Sequence, residues 1–138
     1  MLMADKKFMV VLGKRKKAIA RAIIREGKGQ VHINNTLVDN LSRYRKLRLS
    51  EALLIAGPLA QTVDINVNVT GGGAWGQIDA ARTAIANALV KFHKSKELKQ
   101  KYIDYDRSLL ISDARRTEPH KPSRSSAGPR RTKQQSKR

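Results

Sequence analysis

The run Val63-Asp64-Ile65-Asn66-Val67-Asn68-Val69 alternates strictly between β-branched apolar and short polar side chains. Successive side chains of a strand point to opposite faces, so this spacing predicts a strand with one buried face. Val63, Ile65, Val67 and Val69 would face a core, and Asp64, Asn66 and Asn68 the other way. Such a strand needs a sheet around it and a layer over its apolar side. The layer is predicted just downstream: after Gly71, Gly72, Gly73 and Gly76, a helix over about 77–92 places Ile78, Ala81, Ile85, Ala88, Leu89 and Phe92 on one stripe. Asp79, Arg82 and Lys91 fall elsewhere, and the many alanines permit close approach to a sheet. A chain of 138 residues has room for one such domain and little more.

The first half supplies short strands. Phe8-Met9-Val10-Val11-Leu12 is a compact apolar run, and residues 18–25 alternate imperfectly, with Ala18, Ala20, Ala22 and Ile24 on one parity. Gly27-Lys28-Gly29 marks a turn before a further strand over 30–34. Consecutive strands with tight links imply an antiparallel meander. Residues 40–48 read as irregular and basic. Ser50 then resembles an N-cap for a short helix over 51–56, which Gly57-Pro58 ends. A Lys-rich helix over 96–102 and a last strand at Leu109-Leu110-Ile111 complete the prediction. The fold class is therefore α+β: a small, mostly antiparallel sheet with packed helices, followed by an extended basic C-terminal tail.

That tail begins near Asp113. Residues 113–138 carry nine basic residues against Asp113 and Glu118, a net +7, with three prolines and no aromatic. Such a segment cannot bury enough apolar surface to offset its ordering entropy, so it is expected to stay disordered without RNA. The division is thus 1–112 for the globular domain and 113–138 for the tail, whose 26 residues reach roughly 85 Å when extended.

The charge indicates the partner. Lys and Arg number 29 against 11 Asp and Glu, a formal +18. This imbalance repels itself, and becomes favourable when a polyanion is present and each neutralised phosphate releases counterions. Aromatic residues are only 4%, so stacking platforms look sparse and binding should lean on phosphates and shape. With no cysteine there is no thiolate metal site or thiol nucleophile. No apolar run is long enough for a membrane-spanning helix or a signal peptide.

Three clusters are candidate RNA contacts. Lys14, Arg15, Lys16 and Lys17 with Arg21 sit on or beside a hairpin turn, with no acid until Glu26. Arg43, Arg45, Lys46 and Arg48 form a second patch, in which Tyr44 either stacks on a base or packs on the domain. Gly71, Gly72 and Gly73 precede a helix, where missing side chains would admit a phosphate to backbone amides or simply allow a tight turn. Gly71, Gly73 and Gly76 also satisfy a dinucleotide-binding spacing. The alternating strand before them and the short remaining chain argue against a doubly wound sheet. Trp75 reads as a local hydrophobic anchor. His32, His93 and His120 lack metal-ligand spacing, and Asp104 and Asp106, flanked by Tyr102, Tyr105 and Arg107, read as a surface loop. No catalytic set and no cofactor site emerge.

Gly13-Lys14-Arg15-Lys16-Lys17-Ala18-Ile19-Ala20-Arg21, with Gly27-Lys28-Gly29 and Asn34, resembles the N-terminal signature of the ribosomal small-subunit protein nine family. Gly71-Gly72-Gly73, Gly76-Gln77 and Ala81-Arg82 resemble its central signature. Asp113-Ala114-Arg115-Arg116 and Ser136-Lys137-Arg138 resemble its tail, and the run from Arg115 to Pro119 is similar to archaeal members. The resemblance covers almost the whole chain in order. It implies a four-stranded sheet with packed helices, like the second domain of ribosomal protein five of the same subunit, a fold shared with some kinases that is no evidence for kinase activity.

It further implies a place in the head of the small subunit, with ribosomal RNA and neighbouring small-subunit proteins as partners. The tail, with Arg115, Arg116, Lys121, Arg124, Arg130, Arg131 and Lys133, would thread through RNA. Lys137 and Arg138 would reach phosphates of the peptidyl-site tRNA. Many members carry an aromatic residue near the end; Gln134-Gln135-Ser136-Lys137-Arg138 has none, so the charge role remains without a stacking one. The rival from composition alone is a free-standing basic RNA-binding protein or RNA chaperone.

Overall fold

The computed structural model describes residues 7–116. The predicted tail beyond Arg116, with Lys121, Arg124, Arg130, Arg131, Lys133, Lys137 and Arg138, lies outside the described residues.

Five strands form one sheet: β1 (Phe8–Arg15), β2 (Ala18–Glu26), β3 (Val31–Ile33), β4 (Thr36–Leu37) and β5 (Val63–Thr70), in the order β1-β2-β5-β3-β4. All neighbouring pairs are antiparallel except β3 with β5, so the sheet is mostly antiparallel. Three helices accompany it: α1 (Arg43–Ala56), α2 (Ala74–His93) and α3 (Lys96–Tyr105). The expected α+β class stands. The simple meander does not, because β5 inserts between β2 and β3. The β1–β2 and β3–β4 hairpins, each closed by a two-residue loop, join consecutive neighbours tightly. The parallel β3–β5 pair needs a crossover, and α1 lies in that connection. The two-residue β4 takes the sheet to five strands, one more than the resemblance implied.

The alternation of β5 is realised: Val63, Ile65, Val67 and Val69 are all buried. Ala18, Ala20, Ala22 and Ile24 of β2 lie beside them on the same face, under α2. Alanine lets the helix come close, and at one point even alanine is too large. A Cβ on Gly13 would collide with the backbone of Ala80 and Ala84 in α2, so β1 touches the helix directly.

α2 differs from the one-striped helix expected. It is buried nearly all round through its middle, because α1 and α3 cover the face away from the sheet. Arg82, predicted off the apolar stripe, is only 3% exposed.

α1 begins eight residues earlier than expected, at Arg43. Its first turns are made of Arg, Lys, Leu and Tyr, most of them good helix formers. Leu49, Ala52 and Ala56 anchor one side at helical spacing. Ser50 is therefore interior rather than an N-cap, its hydroxyl donating to the Leu47 carbonyl at 2.9 Å. The helix ends at Gly57, whose φ of +58° suits glycine, with Pro58 following. The expected strand at Leu109–Ile111 is instead a 3-10 turn, Arg107–Leu109, with Leu109 buried. Its end is held to α2 where Asn87 Nδ2 donates to the Leu110 carbonyl at 3.0 Å. Tyr102, expected at the end of the Lys-rich helix, is fully buried in α3 and donates its hydroxyl to the Ala52 carbonyl of α1 at 2.7 Å. That burial pushes its phenol pKa well above the ordinary value.

Candidate nucleic-acid interface

The hairpin register pairs Arg15 with Ala18, leaving Lys16 and Lys17 as a two-residue loop. Lys16 takes a left-handed conformation, φ +52°, to close it. Lys14, Lys16, Lys17 and Arg21 are exposed and form no ion pair among the described residues. Alternation along β1 and β2 sends Arg21 to the open face of the sheet, opposite the helices, next to Leu12 and Asn68 in the register. Phe8, Val10 and Leu12 of edge strand β1 also show on that face, each more than half exposed.

The glycine loop packs against this turn. Gly71 and Gly72 both have positive φ, and a Cβ on Gly71 would strike the Lys17 carbonyl. Both glycines are thus required by the turn itself. Gly73 is different: its backbone is extended and its missing Cβ faces open space. It occupies the N-cap of α2 without offering a side-chain cap, so first-turn amides of that helix lack one. Gln77 Nε2 donates to the Gly71 carbonyl at 3.1 Å and holds the loop.

The α1 patch does not act as one face. Arg43 and Arg45 are exposed and form no ion pair among the described residues, and Arg45 borders a cleft with Asn34, Ala74 and Gln77. Lys46 pairs with Asp39 at 3.0 Å. Arg48 turns inward, its Nε 3.2 Å from Asp79 Oδ1 and its Nη1 3.7 Å from Glu51 Oε1. Partial burial opposes the charged form of Arg48, but the hydrogen bond and charge of Asp79 outweigh it and raise its pKa. Arg15 also turns inward, 4.0 Å from Asp79 and ion-paired with Asp113. Of the predicted contacts, Arg15 and Arg48 are therefore ion-paired while still partly exposed, unlike the cations of the open rim, which form no ion pair among the described residues.

Arg82 is the member of this network that sequence reasoning missed. Its Nη2 lies 2.7 Å from Glu51 Oε2 and 3.3 Å from Asp106 Oδ2. The approach to Glu51 is off-axis for a hydrogen bond, so that contact is Coulombic. Asp106 is better held. Partial burial raises its pKa, while the hydroxyl and N–H of Ser108 and the Arg82 guanidinium lower it further, leaving it below the ordinary carboxylate value. Asp113 also accepts from Arg115, whose Nη2 is 2.7 Å away. With Arg15 adding to that bond, the Asp113 pKa is held well down. Arg116 is exposed.

Tyr44 of α1 meets Trp75 of α2. They pack on each other edge to face, and neither is buried. The exposed surface thus gathers the hairpin turn, the glycine loop, the start of α1 and an aromatic pair.

Among the described residues no helix is long and apolar enough to cross a membrane. The chain matches the family model described as "Ribosomal protein S9/S16" over residues 13–138. It is 47% identical over 131 residues to small ribosomal subunit protein uS9 of Methanococcus maripaludis strain C7, covering 94% of this chain and 98% of that one. It is 49% identical over 127 residues to the protein of the same name from Desulfurococcus amylolyticus, covering 91% of each. On likeness of that extent, with the glycine loop and both basic signatures inside the matched span, the chain belongs to the ribosomal protein S9/S16 family.

Proposed function

We propose that the protein is a structural, non-enzymatic constituent of the small ribosomal subunit, and that its folded domain binds ribosomal RNA. The observation that carries the reading is the group of exposed cations, Lys14, Lys16, Lys17, Arg43 and Arg45, near a glycine loop whose Gly73 leaves open space, with Arg21 adding charge on the open sheet face. Phosphates there would relieve the like-charge repulsion. Relatives named as small-subunit proteins support the assignment to that particle. Gly71, Gly72 and Gly73 would let a phosphate approach the first turn of α2, with Lys46, Arg115 and Arg116 as further contacts. The apolar row Phe8, Val10 and Leu12 supports a neighbouring small-subunit protein against the open sheet face.

The finer part of the proposal concerns the tail. Its basic residues, Lys121, Arg124, Arg130, Arg131 and Lys133, order along RNA, and Lys137 and Arg138 reach phosphates of the peptidyl-site tRNA. A guanidinium stays charged and can bind two phosphate oxygens at once.

The test is sedimentation of a cell lysate at moderate and high salt, with the full chain and with one lacking Lys137 and Arg138. Both are expected to stay with small subunits through a high-salt wash, while the shortened chain weakens tRNA affinity at the peptidyl site. Protein that sediments free, or strips onto bulk nucleic acid, would return the reading to a free-standing RNA binder. Unchanged tRNA affinity would remove the role of the tail end alone.

A further inference from the structure

Trp75 is the only tryptophan in the chain. Its ring meets that of Tyr44 with centroids 4.8 Å apart and planes at 82°, yet the two residues stay 59% and 65% exposed. Leu47, one turn further along α1, is 57% exposed and extends the apolar surface. Rings of this size gain most by leaving water, so a pair that orders itself on the surface is placed for something outside the fold.

The surroundings say what. Gly76, next to Trp75, lies against the Arg15 carbonyl and Ala18, and Gly71 lies against the Lys17 carbonyl, so the Lys16-Lys17 turn borders one side of the pair. Arg43 and Arg45 are the neighbours of Tyr44 along α1, and both are exposed. These cations have no carboxylate partner among the described residues, and Asp39, the nearest acid in sequence, is already paired with Lys46. Exposed π faces framed by uncompensated positive charge suit a ligand that carries both aromatic rings and phosphates.

We propose that Tyr44 and Trp75 form a stacking platform for an unpaired nucleotide of RNA, with Lys17 and Arg43 taking the flanking phosphates. This rests on the RNA-binding reading above and adds that the partner here is single-stranded.

Because Trp75 is the sole tryptophan, its fluorescence reports the contact directly. The full chain would be titrated at near-physiological salt with a single-stranded RNA oligomer and with an abasic oligomer of equal length and charge. The base-bearing oligomer should quench Trp75 and the abasic one should not. Trp75→Ala should weaken binding of the base-bearing oligomer about tenfold, a loss typical of one stacked base, while Trp75→Phe keeps most of the affinity. Equal quenching by both oligomers, or a Trp75→Ala loss shared equally by both, overturns stacking. Unchanged affinity in Trp75→Ala also overturns it and leaves the pair to a protein neighbour. In all three cases RNA binding itself survives; if neither oligomer binds, that reading falls too.

Discussion

Arg15 at the end of β1 and Asp113 are ion-paired although 98 residues separate them. The contact ties the last described stretch of chain to the first hairpin, beside the Lys16-Lys17 turn. Asp113 is held from both sides, since Arg115 also donates to it. Asp113 is therefore the centre of a clasp between Arg15 and Arg115.

Asp113→Asn removes the charge from that clasp and leaves both arginines without their counter-ion. Trypsin should then cut after Arg115 and Arg116 several-fold faster, with the melting temperature nearly unchanged. An unaltered cleavage rate would mean that the pair does not restrain the tail root.

Arg82 poses a harder electrostatic problem. Its side chain is 4% exposed and balances Glu51 from α1 and Asp106 beside α3. Removing one partner of a buried pair strands the others, which typically costs about 3–5 kcal/mol. Arg82→Ala should lose that much in urea denaturation, and Arg82→Lys should recover only part of it, having no planar fork to span two carboxylates. A loss below about 1 kcal/mol would show that water reaches the site and screens it.

Two carboxylates give the domain an acid limit. The backbone N–H groups of Gln30 and Lys28 donate to Asp64 at 3.0 and 2.9 Å, and hold its pKa below the ordinary value. Asp106 is also depressed, by Ser108 and Arg82, despite partial burial. A folded-state pKa below the unfolded one means the unfolded chain binds more protons in between. The stability from these bonds is therefore fully present above the ordinary carboxylate pKa of about 3.9, and is lost as pH falls through the folded values. Thermal melts should be flat from neutral pH to about 5 and fall steeply below about 4. Asp64→Asn and Asp106→Asn should each flatten part of the acid limb; an unchanged limb in the double variant would place the acid sensitivity elsewhere.

How much of this was legible follows from where each signal resides. β5 and α2 were readable because their apolar residues repeat at one period over many positions. The start of α1 was not, because four cations in six residues, Arg43 to Arg48, mask a helix whose buried stripe begins only at Leu49. Arg82 looked like a solvent-facing residue of an amphipathic helix. Its burial depends on Glu51 and Asp106, which arrive from two other elements, and no local pattern carries that information. The same holds for Tyr44 and Trp75, which belong to different helices. The insertion of β5 between β2 and β3 is long-range pairing, which short turn signals cannot order. Of the basic residues, those in the hairpin loop were placed correctly on the surface, while Arg15 and Arg48 were drawn inward by Asp79.

The glycines separate a structural need from a functional one. Gly13→Ala drives a methyl into the backbone of α2, which cannot yield as a flexible side chain would. It should cost about 3 kcal/mol, at the upper end of overpacking, and reduce particle incorporation only through loss of fold. Gly73→Ser is the informative contrast. Its extended backbone accepts any residue, its Cβ meets nothing, and a serine there would cap α2. Stability should therefore rise by about 0.5 kcal/mol. If an RNA phosphate occupies that open space, the same substitution should weaken assembly into the small subunit while the melting temperature goes up. Opposite signs in the two measurements cannot come from a folding defect. A Gly73→Ser protein that is more stable and assembles normally would show that the glycine loop is a turn and nothing more.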